Sequence, residues 1–446
     1  MFHVKHSSPH VLLINPWITD FAAYNFWIKP LGLLSIGSSL RRNGFRISFI
    51  DCLDFLVKRR PYGDGKFRKI RIDKPGPLMN IPRYYSQYGI CESEFLEKLE
   101  YIDKPDLIAV TSGMTYWYPG VFKLIEFIKN LFKDVPLVLG GIYATLCYDH
   151  AQKYSGADHI FKGRDEQEAQ KLISELTGFE TGSSDIRNLQ SPIRNRVYPA
   201  FDLYPDLDYV CISTSRGCPF RCLYCATSFL SGGFVRTGPI DVVKEIEYWT
   251  TQHGVRNYAF YDDALLVKPE DFIVPMLKET IKRGISIKFH APNGLHMGEI
   301  DGEVAGLMFK GGFKTIRFGF ETSDEATQVE TGGKIDNKGF ERAVNHLKRA
   351  GYSGKEIGVY VLVGMPGQKV GEVKESIAYV KGNGVRPILT EYSPIPHTPL
   401  FEKAKQLSRF DIEKEPLYQN NSIFPCQWEG FTQDDLKRLK LDLQER

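Results

Sequence analysis

The chain has 446 residues, 42% of them hydrophobic and 25% charged, with a formal net charge of +3. That length suits two or three domains with cores of their own, and so small a charge gives no case for nucleic acid or a membrane surface as a partner. Eight cysteines without a disulfide framework read as a reduced, cytoplasmic protein.

The N-terminus carries a four-residue apolar run before Asn15-Pro16, too short for a signal-peptide core. No stretch approaches the roughly 18 apolar residues of a membrane span. Residues 11 to about 175 alternate short β-rich runs with helical segments, the pattern of a parallel α/β sheet. Strands are expected at Val11 to Asn15, Arg46 to Asp51, Asp106 to Ser112, Leu137 to Gly140 and His159 to Lys162, in a Rossmann-like, doubly wound domain over residues 1–180. Such sheets bind ligands beyond the carboxyl ends of their strands. The polar and glycine-rich ends here are Asn15-Pro16, Ser112-Gly113-Met114 and Gly140-Gly141. The first turn, Asn15-Pro16-Trp17, lacks the G-x-G-x-x-G that lets a pyrophosphate reach a helix N-terminus, which argues against a nicotinamide dinucleotide.

Between the second and third strands lies an insertion, residues 54–104, with Lys58, Arg59, Arg60, Lys66, Arg68, Lys69 and Arg71 around Gly63 and Gly65. A charge run of this kind reads first as a solvated basic loop, and second as a lid or a cationic clasp on an anionic substrate or cofactor phosphate. Tyr84, Tyr85 and Tyr88 imply that its second half packs on something. Residues 181–207, rich in Ser, Asn, Arg and Pro, read as a linker.

A second run of alternating strands and helices occupies 208–400, with strands expected at Tyr209 to Thr214, Tyr258 to Tyr261, Ser286 to His290, Thr315 to Phe320, Ile357 to Val363 and Pro387 to Tyr392. Six such units suit a partial (β/α)6 TIM-like barrel, whose chemistry sits at the carboxyl ends of its strands. The tail, 401–446, ends in an amphipathic segment, Phe431 to Leu443, expected to pack as a helix on the barrel.

After the first of these strands, Cys218, Cys222 and Cys225 stand at spacings of four and three. Three thiolates so spaced can converge on a cubane iron–sulfur cluster and leave its fourth iron open to a small molecule. A structural zinc site would need a fourth ligand, and no Cys or His follows at finger spacing; an odd trio in a reduced compartment does not suit disulfides. The run Cys218-Pro219-Phe220-Arg221-Cys222-Leu223-Tyr224-Cys225 resembles the CxxxCxxC loop of the radical S-adenosylmethionine superfamily, with Tyr224 as the aromatic before the last cysteine. The resemblance implies a 4Fe-4S cluster that chelates S-adenosylmethionine and cleaves it by one-electron reduction to methionine and a 5′-deoxyadenosyl radical. It also implies an electron donor such as flavodoxin or ferredoxin.

Lys29-Pro30-Leu31-Gly32-Leu33, Thr111-Ser112-Gly113-Met114 and Leu139-Gly140-Gly141-Ile142 resemble the cobalamin-binding domain that precedes the barrel in one subfamily. This implies cobalamin contacts at Asn15, Pro16, Ser112, Gly113, Met114, Gly140 and Gly141. The D-x-H-x-x-G motif for a lower axial histidine is absent; Asp149-His150 and Asp158-His159 have the wrong spacing. In the barrel the family resemblance implies S-adenosylmethionine contacts at Tyr224, at Asp262 and Asp263, at Glu321 and Ser323, and at Gly364, Met365 and Pro366. For any one of these, an N-cap or turn role is the alternative. His290 at a strand end reads first as structural, and His397 lies in the rigid turn Pro394-Ile395-Pro396-His397-Thr398-Pro399.

The remaining cysteines, Cys52, Cys91, Cys147, Cys211 and Cys426, are scattered, so no auxiliary cluster is expected, and a methylthiotransferase of transfer RNA is disfavoured. The function implied is cobalamin-dependent methylation of an unactivated carbon on a small-molecule or peptide substrate. The alternatives are a radical oxidoreductase, cyclase or mutase without cobalamin, and a non-catalytic iron–sulfur redox protein.

Overall fold

The computed structural model describes residues 8–163, 165–179, 198–428 and 430–444. The chain divides into two units, Met1–Leu207 and Asp208–Arg446; most of the expected linker, residues 181–197, lies outside the described residues.

The first unit is built on five parallel strands: β1 (His10–Asn15), β2 (Arg46–Asp51), β3 (Leu107–Val110), β4 (Leu137–Leu139) and β5 (His159–Ile160). Their order is β5-β4-β3-β1-β2. Every residue of β1 is buried, because helices cover both faces, and the two-residue period divides its side chains between them. Leu12 and Ile14 join Phe95, Val121 and Leu124 on one side; Val11 and Leu13 join Leu33, Leu40 and Ile173 on the other. The helix Leu31–Arg42 seats closely because residue 37 is glycine: a Cβ there would lie 2.6 Å from Leu13 Cδ1. The strand order reverses at β1, so the ligand crevice of such a sheet opens beyond the ends of β1 and β3.

The insertion is not the loop expected from its charge. Leu56–Arg59 pairs with Gly65–Phe67 as a hairpin, and Lys69–Ile72 pairs with Tyr85–Tyr88, which also pairs with Ile18–Asp20. Tyr85 and Tyr88 supply the reason: they are buried, whereas the basic residues of the neighbouring strands point outward. Arg60 pairs with Asp64 at 2.8 Å and Arg68 with Glu94, so part of the basic run is neutralised locally.

The second unit is a six-stranded parallel sheet in sequential order: β6 (Val210–Ile212), β7 (Asn257–Phe260), β8 (Lys288–His290), β9 (Phe313–Glu321), β10 (Ile357–Val363) and β11 (Arg386–Glu391). Each expected strand is present in both units, its ends within two residues of the expected ones. Local chemistry sets the intervening helices: Pro239 opens Pro239–His253 and Gly254 closes it at φ 69°, while Asp301 and Asp336 cap the helices that follow them. Phe260, Phe289 and Phe313 from three adjacent strands form one ring cluster, with centroids 5.1–5.8 Å apart. The C-terminal segment is part of this unit. Leu400, Phe401, Ala404, Ile412 and Cys426 pack with Leu362, Met365 and Tyr392, and Leu223 and Tyr224 of the cysteine loop rest against them. The last helix, Gln433–Gln444, buries Leu436 and Leu439.

Candidate functional site

Parallel strands place all six carboxyl ends of the second unit at one rim, where the cysteine loop follows β6. The loop is pinned by antiparallel pairing of Ser215-Arg216 with Val235-Arg236. Gly217 turns it at φ 78°, and a Cβ there would lie 2.6 Å from the Gly233 carbonyl. Cys225 N–H donates to the Cys222 carbonyl at 3.0 Å, closing the last turn. All three thiols are free and half-buried. Burial pushes the Cys218 and Cys222 thiols up; Asp263, then Cys222 and Cys225, add to this at Cys218, while the Lys334 ammonium pulls Cys222 back down. Iron loading must therefore displace protons as well as bind metal.

Among the described residues, no three His, Cys, Asp or Glu side chains stand close enough to hold a single metal ion. A cubane asks for something different, since each thiolate binds a separate iron. Two further observations fit such a group. The Tyr224 hydroxyl is buried next to Cys222, and burial, then Glu321, then Cys222 drive its phenol far above the ordinary range. Gly332, at φ 125°, leaves open the space beside Cys222: a Cβ there would stand 3.2 Å from Cys222 Cα and 3.4 Å from its Sγ.

The expected rim residues divide into those left open and those the fold consumes. Asp262 is consumed. Its carboxylate accepts from Thr214 N–H at 3.0 Å, Thr214 Oγ1 at 2.7 Å and Ser215 Oγ at 2.6 Å, so it clamps the start of the cysteine loop. Asp263 is exposed and accepts from Thr227 Oγ1 at 3.3 Å, which in turn lies 3.1 Å from Cys225 Sγ. Ser323 is tied to Ser376 of the helix Val370–Gly382 through its N–H and hydroxyl. Gly364 and Met365 give their N–H groups to Gln368 Oε1, and a Cβ at Gly364 would lie 2.3 Å from the Phe424 ring. That glycine makes room for the C-terminal segment. Pro366 follows on the same turn and is half-buried.

Glu321 is aimed differently. A register shift between Gly319 and Glu321 ends β9, and Glu321 sits at φ 69°. A non-glycine residue in the left-handed region costs of order 1–3 kcal/mol and persists only where its surroundings enforce it. Here the enforcing group is Lys334, whose Nζ donates to Glu321 Oε1 at 2.8 Å; the side chains are only 17% and 13% exposed. Burial pulls the Lys334 ammonium down, but Glu321, Cys222 and Cys225 outweigh it and leave the pKa above that of an ordinary lysine. Lys334 was not singled out from the sequence, although the tight Gly332-Gly333 step before it is the signal that it is delivered to a close contact. His296 was missed as well: its ring stacks on Phe220 of the cysteine loop at 3.9 Å and 15°.

His290 is fully buried between strands, with Nδ1 3.1 Å from Thr315 Oγ1 and Nε2 3.3 Å from Asn257 Oδ1. His397 is exposed at φ 67° and stacks on Phe229 at 4.1 Å and 5°.

Residues 212–380 match the model of the Radical SAM superfamily. The chain carries a Radical SAM domain. A protein of Pyrococcus horikoshii described as an uncharacterized methyltransferase is 24% identical over 367 residues, 75% of this chain and 74% of its own. The radical S-adenosylmethionine methyltransferase TsrM of Kitasatospora setae, solved with tryptophan and an S-adenosylmethionine analogue, has the same fold: TM-score 0.66, 18% identity, 90% of this chain and 77% of TsrM. The cobalamin-dependent S-adenosylmethionine radical enzyme OxsB superposes with TM-score 0.57 and 12% identity, over 98% of this chain and 61% of OxsB.

In the first unit the expected ligand residues lie at the ends of β1, β3 and β4. Asn15 is consumed: its side chain donates to Asp51 Oδ1 at 2.7 Å, while Tyr204 and Leu53 N–H also serve that carboxylate. Pro16 is buried. Ser112 Oγ donates to the Gly140 carbonyl at 2.7 Å and accepts from Ala144 N–H, stitching β3 to β4. Gly141, at φ 97°, is required because a Cβ there would lie 2.3 Å from the Ser112 carbonyl; at Gly113 it would meet Trp117 at 2.9 Å. What remains open is apolar: Met114 and Ile142 are 47% and 42% exposed beside these glycines. His150 lies among Tyr118, Phe122, Tyr143 and Tyr154, and its Nδ1 is 2.6 Å from the Tyr143 hydroxyl. It is not presented as an axial ligand.

Proposed function

We propose that the protein is a cobalamin-dependent radical S-adenosylmethionine methyltransferase acting on an unactivated carbon of a small-molecule substrate. One observation carries this reading: a cysteine trio at the rim of a Radical SAM domain and a doubly wound sheet share a chain whose fold matches TsrM over 90% of its length.

When bound, the cluster and the corrinoid supply one-electron cleavage of S-adenosylmethionine and methyl transfer. The chain supplies the rest. Cys218, Cys222 and Cys225 would hold the cluster through their thiolates. Asp262 keeps their loop in place through Thr214 and Ser215, and the aromatic and aliphatic wall behind Leu223 and Tyr224 excludes water. Asp263 and Glu321 offer carboxylates to the ammonium and hydroxyl groups of S-adenosylmethionine. The ends of β3 and β4, from Ser112 to Met114 and Gly140 to Ile142, offer an apolar shelf of the kind a corrin ring covers. The electron comes from a flavodoxin- or ferredoxin-class donor.

The test is the iron and corrinoid content of protein purified anaerobically from cells supplied with cobalamin, with an assay for 5′-deoxyadenosine after reduction. About four irons and one corrinoid per chain, with deoxyadenosine released, is the expected result. Iron and deoxyadenosine without corrinoid would overturn the methyltransferase reading and leave a radical enzyme of another kind. Iron without deoxyadenosine would leave only a redox protein.

A further inference from the structure

We propose that Lys334 is a counter-charge set against the cysteine loop, a positioning residue that makes the bound cluster easier to reduce. The inference rests on the cluster reading above and concerns a residue outside the loop itself. Three features bring the charge there. The Gly332-Gly333 step carries the chain against Cys222, so closely that only glycine fits without displacement at 332. Gly319 clears the space for the head group: a Cβ there would lie 2.9 Å from Lys334 Nζ and 2.7 Å from Glu321 Oε1. Glu321, turned into the left-handed region, then holds the ammonium at 2.8 Å, and Tyr224 lies under it with its ring centroid 5.5 Å away. Thus three glycines, a backbone outlier and an aromatic residue serve a single buried cation.

A cation in that position acts on a cluster through its charge. Three thiolates give a bound cubane a net negative charge, and reduction adds one electron and one further negative charge. A nearby positive charge, poorly screened because it is buried, stabilises the reduced form more than the oxidised form. Lys334 therefore raises the midpoint potential and lowers the demand on the electron donor. Glu321, as its partner, works in the opposite direction and moderates the effect.

The opposite signs make the test decisive. Full-length protein is reconstituted anaerobically with iron and sulfide, and the cluster is titrated with dithionite in the absence of S-adenosylmethionine, with electron paramagnetic resonance as the readout. Lys334→Met is expected to shift the midpoint to more negative potential, Lys334→Arg to leave it close to that of the unsubstituted protein, and Glu321→Gln to shift it to less negative potential. A structural role alone would move Lys334→Met and Glu321→Gln in the same direction or not at all, and either pattern overturns the proposal. Should Lys334→Met fail to load iron, the direction of the Glu321→Gln shift decides. Failure of the unsubstituted protein to take up iron would instead sink the cluster reading on which the inference rests.

Discussion

Asp262 and Lys334 are both charges taken out of water, and the fold tolerates them by different means. Asp262 is 4% exposed and accepts hydrogen bonds from N–H and O–H groups of the two residues that open the cysteine loop; Lys334 is held by one carboxylate. Burying an unpaired charge is far more costly than burying a satisfied one, so each is fixed in a single geometry. The histidines resolve the same conflict by staying neutral. Burial lowers His150 to about 4 and His290 to about 3; at His290 the Lys288 charge adds to the effect. Below the unfolded value near 6.5 the unfolded chain takes protons that the fold refuses. The contribution is therefore intact above pH 6.5 and lost as the pH falls through that value towards the folded ones. The urea midpoint of the protein should drop between pH 6.5 and about 4, and His290→Gln should flatten that drop; an unchanged slope in the variant would place the titration elsewhere.

At the scale of elements, the strand ends matter more than the strands. The end of β10 turns at Gly364 because Phe424 from the C-terminal segment occupies the place of a side chain. Gly364→Ala combines a positive φ with a 2.3 Å contact, and should destabilise the protein by roughly 2–4 kcal/mol in chemical denaturation. Adding Phe424→Leu should recover part of that loss by removing the contact while leaving the backbone strain. If the double variant is no more stable than the single one, Phe424 is not what requires the glycine. The composition of residues 54–104 pointed to a basic loop, yet the segment forms strands. Alternation of Ile70 and Ile72 with cations is a β-pattern that the charge obscures, whereas Tyr85-Ser86-Gln87-Tyr88, buried at all four residues, carries no alternation to read. Pairing with Ile18–Asp20, distant in sequence, supplies the ladder that local inspection cannot supply.

At the scale of the whole molecule, the two units make separable contributions. The ends of β3 and β4 belong to Met1–Leu207 and the cysteine loop to Asp208–Arg446. Met114→Asp places a charge on the apolar shelf and should weaken corrinoid binding by about tenfold or more, with iron content per chain unchanged. Loss of iron together with corrinoid in that variant would mean general misfolding. Much of the architecture was legible from residue order alone, because periodicity and glycine-rich ends are local properties. So was the chemistry of Cys218, Cys222 and Cys225, which are packed into eight consecutive residues and need no tertiary contact to be recognised. What the tertiary structure alone decided is which rim residues remain available. Asp262, Ser323, Gly364 and Asn15 have the right types at the right strand ends, yet partners distant in sequence, namely Thr214, Ser376, Phe424 and Asp51, already occupy them. Lys334 is the converse case. The Gly332-Gly333 step before it signals a close contact but does not say with what, and only the tertiary fold brings its charge to Cys222 and Glu321. Hydrogen-bond capacity and buried charge are settled by contacts across the chain, and strand-end composition does not encode them.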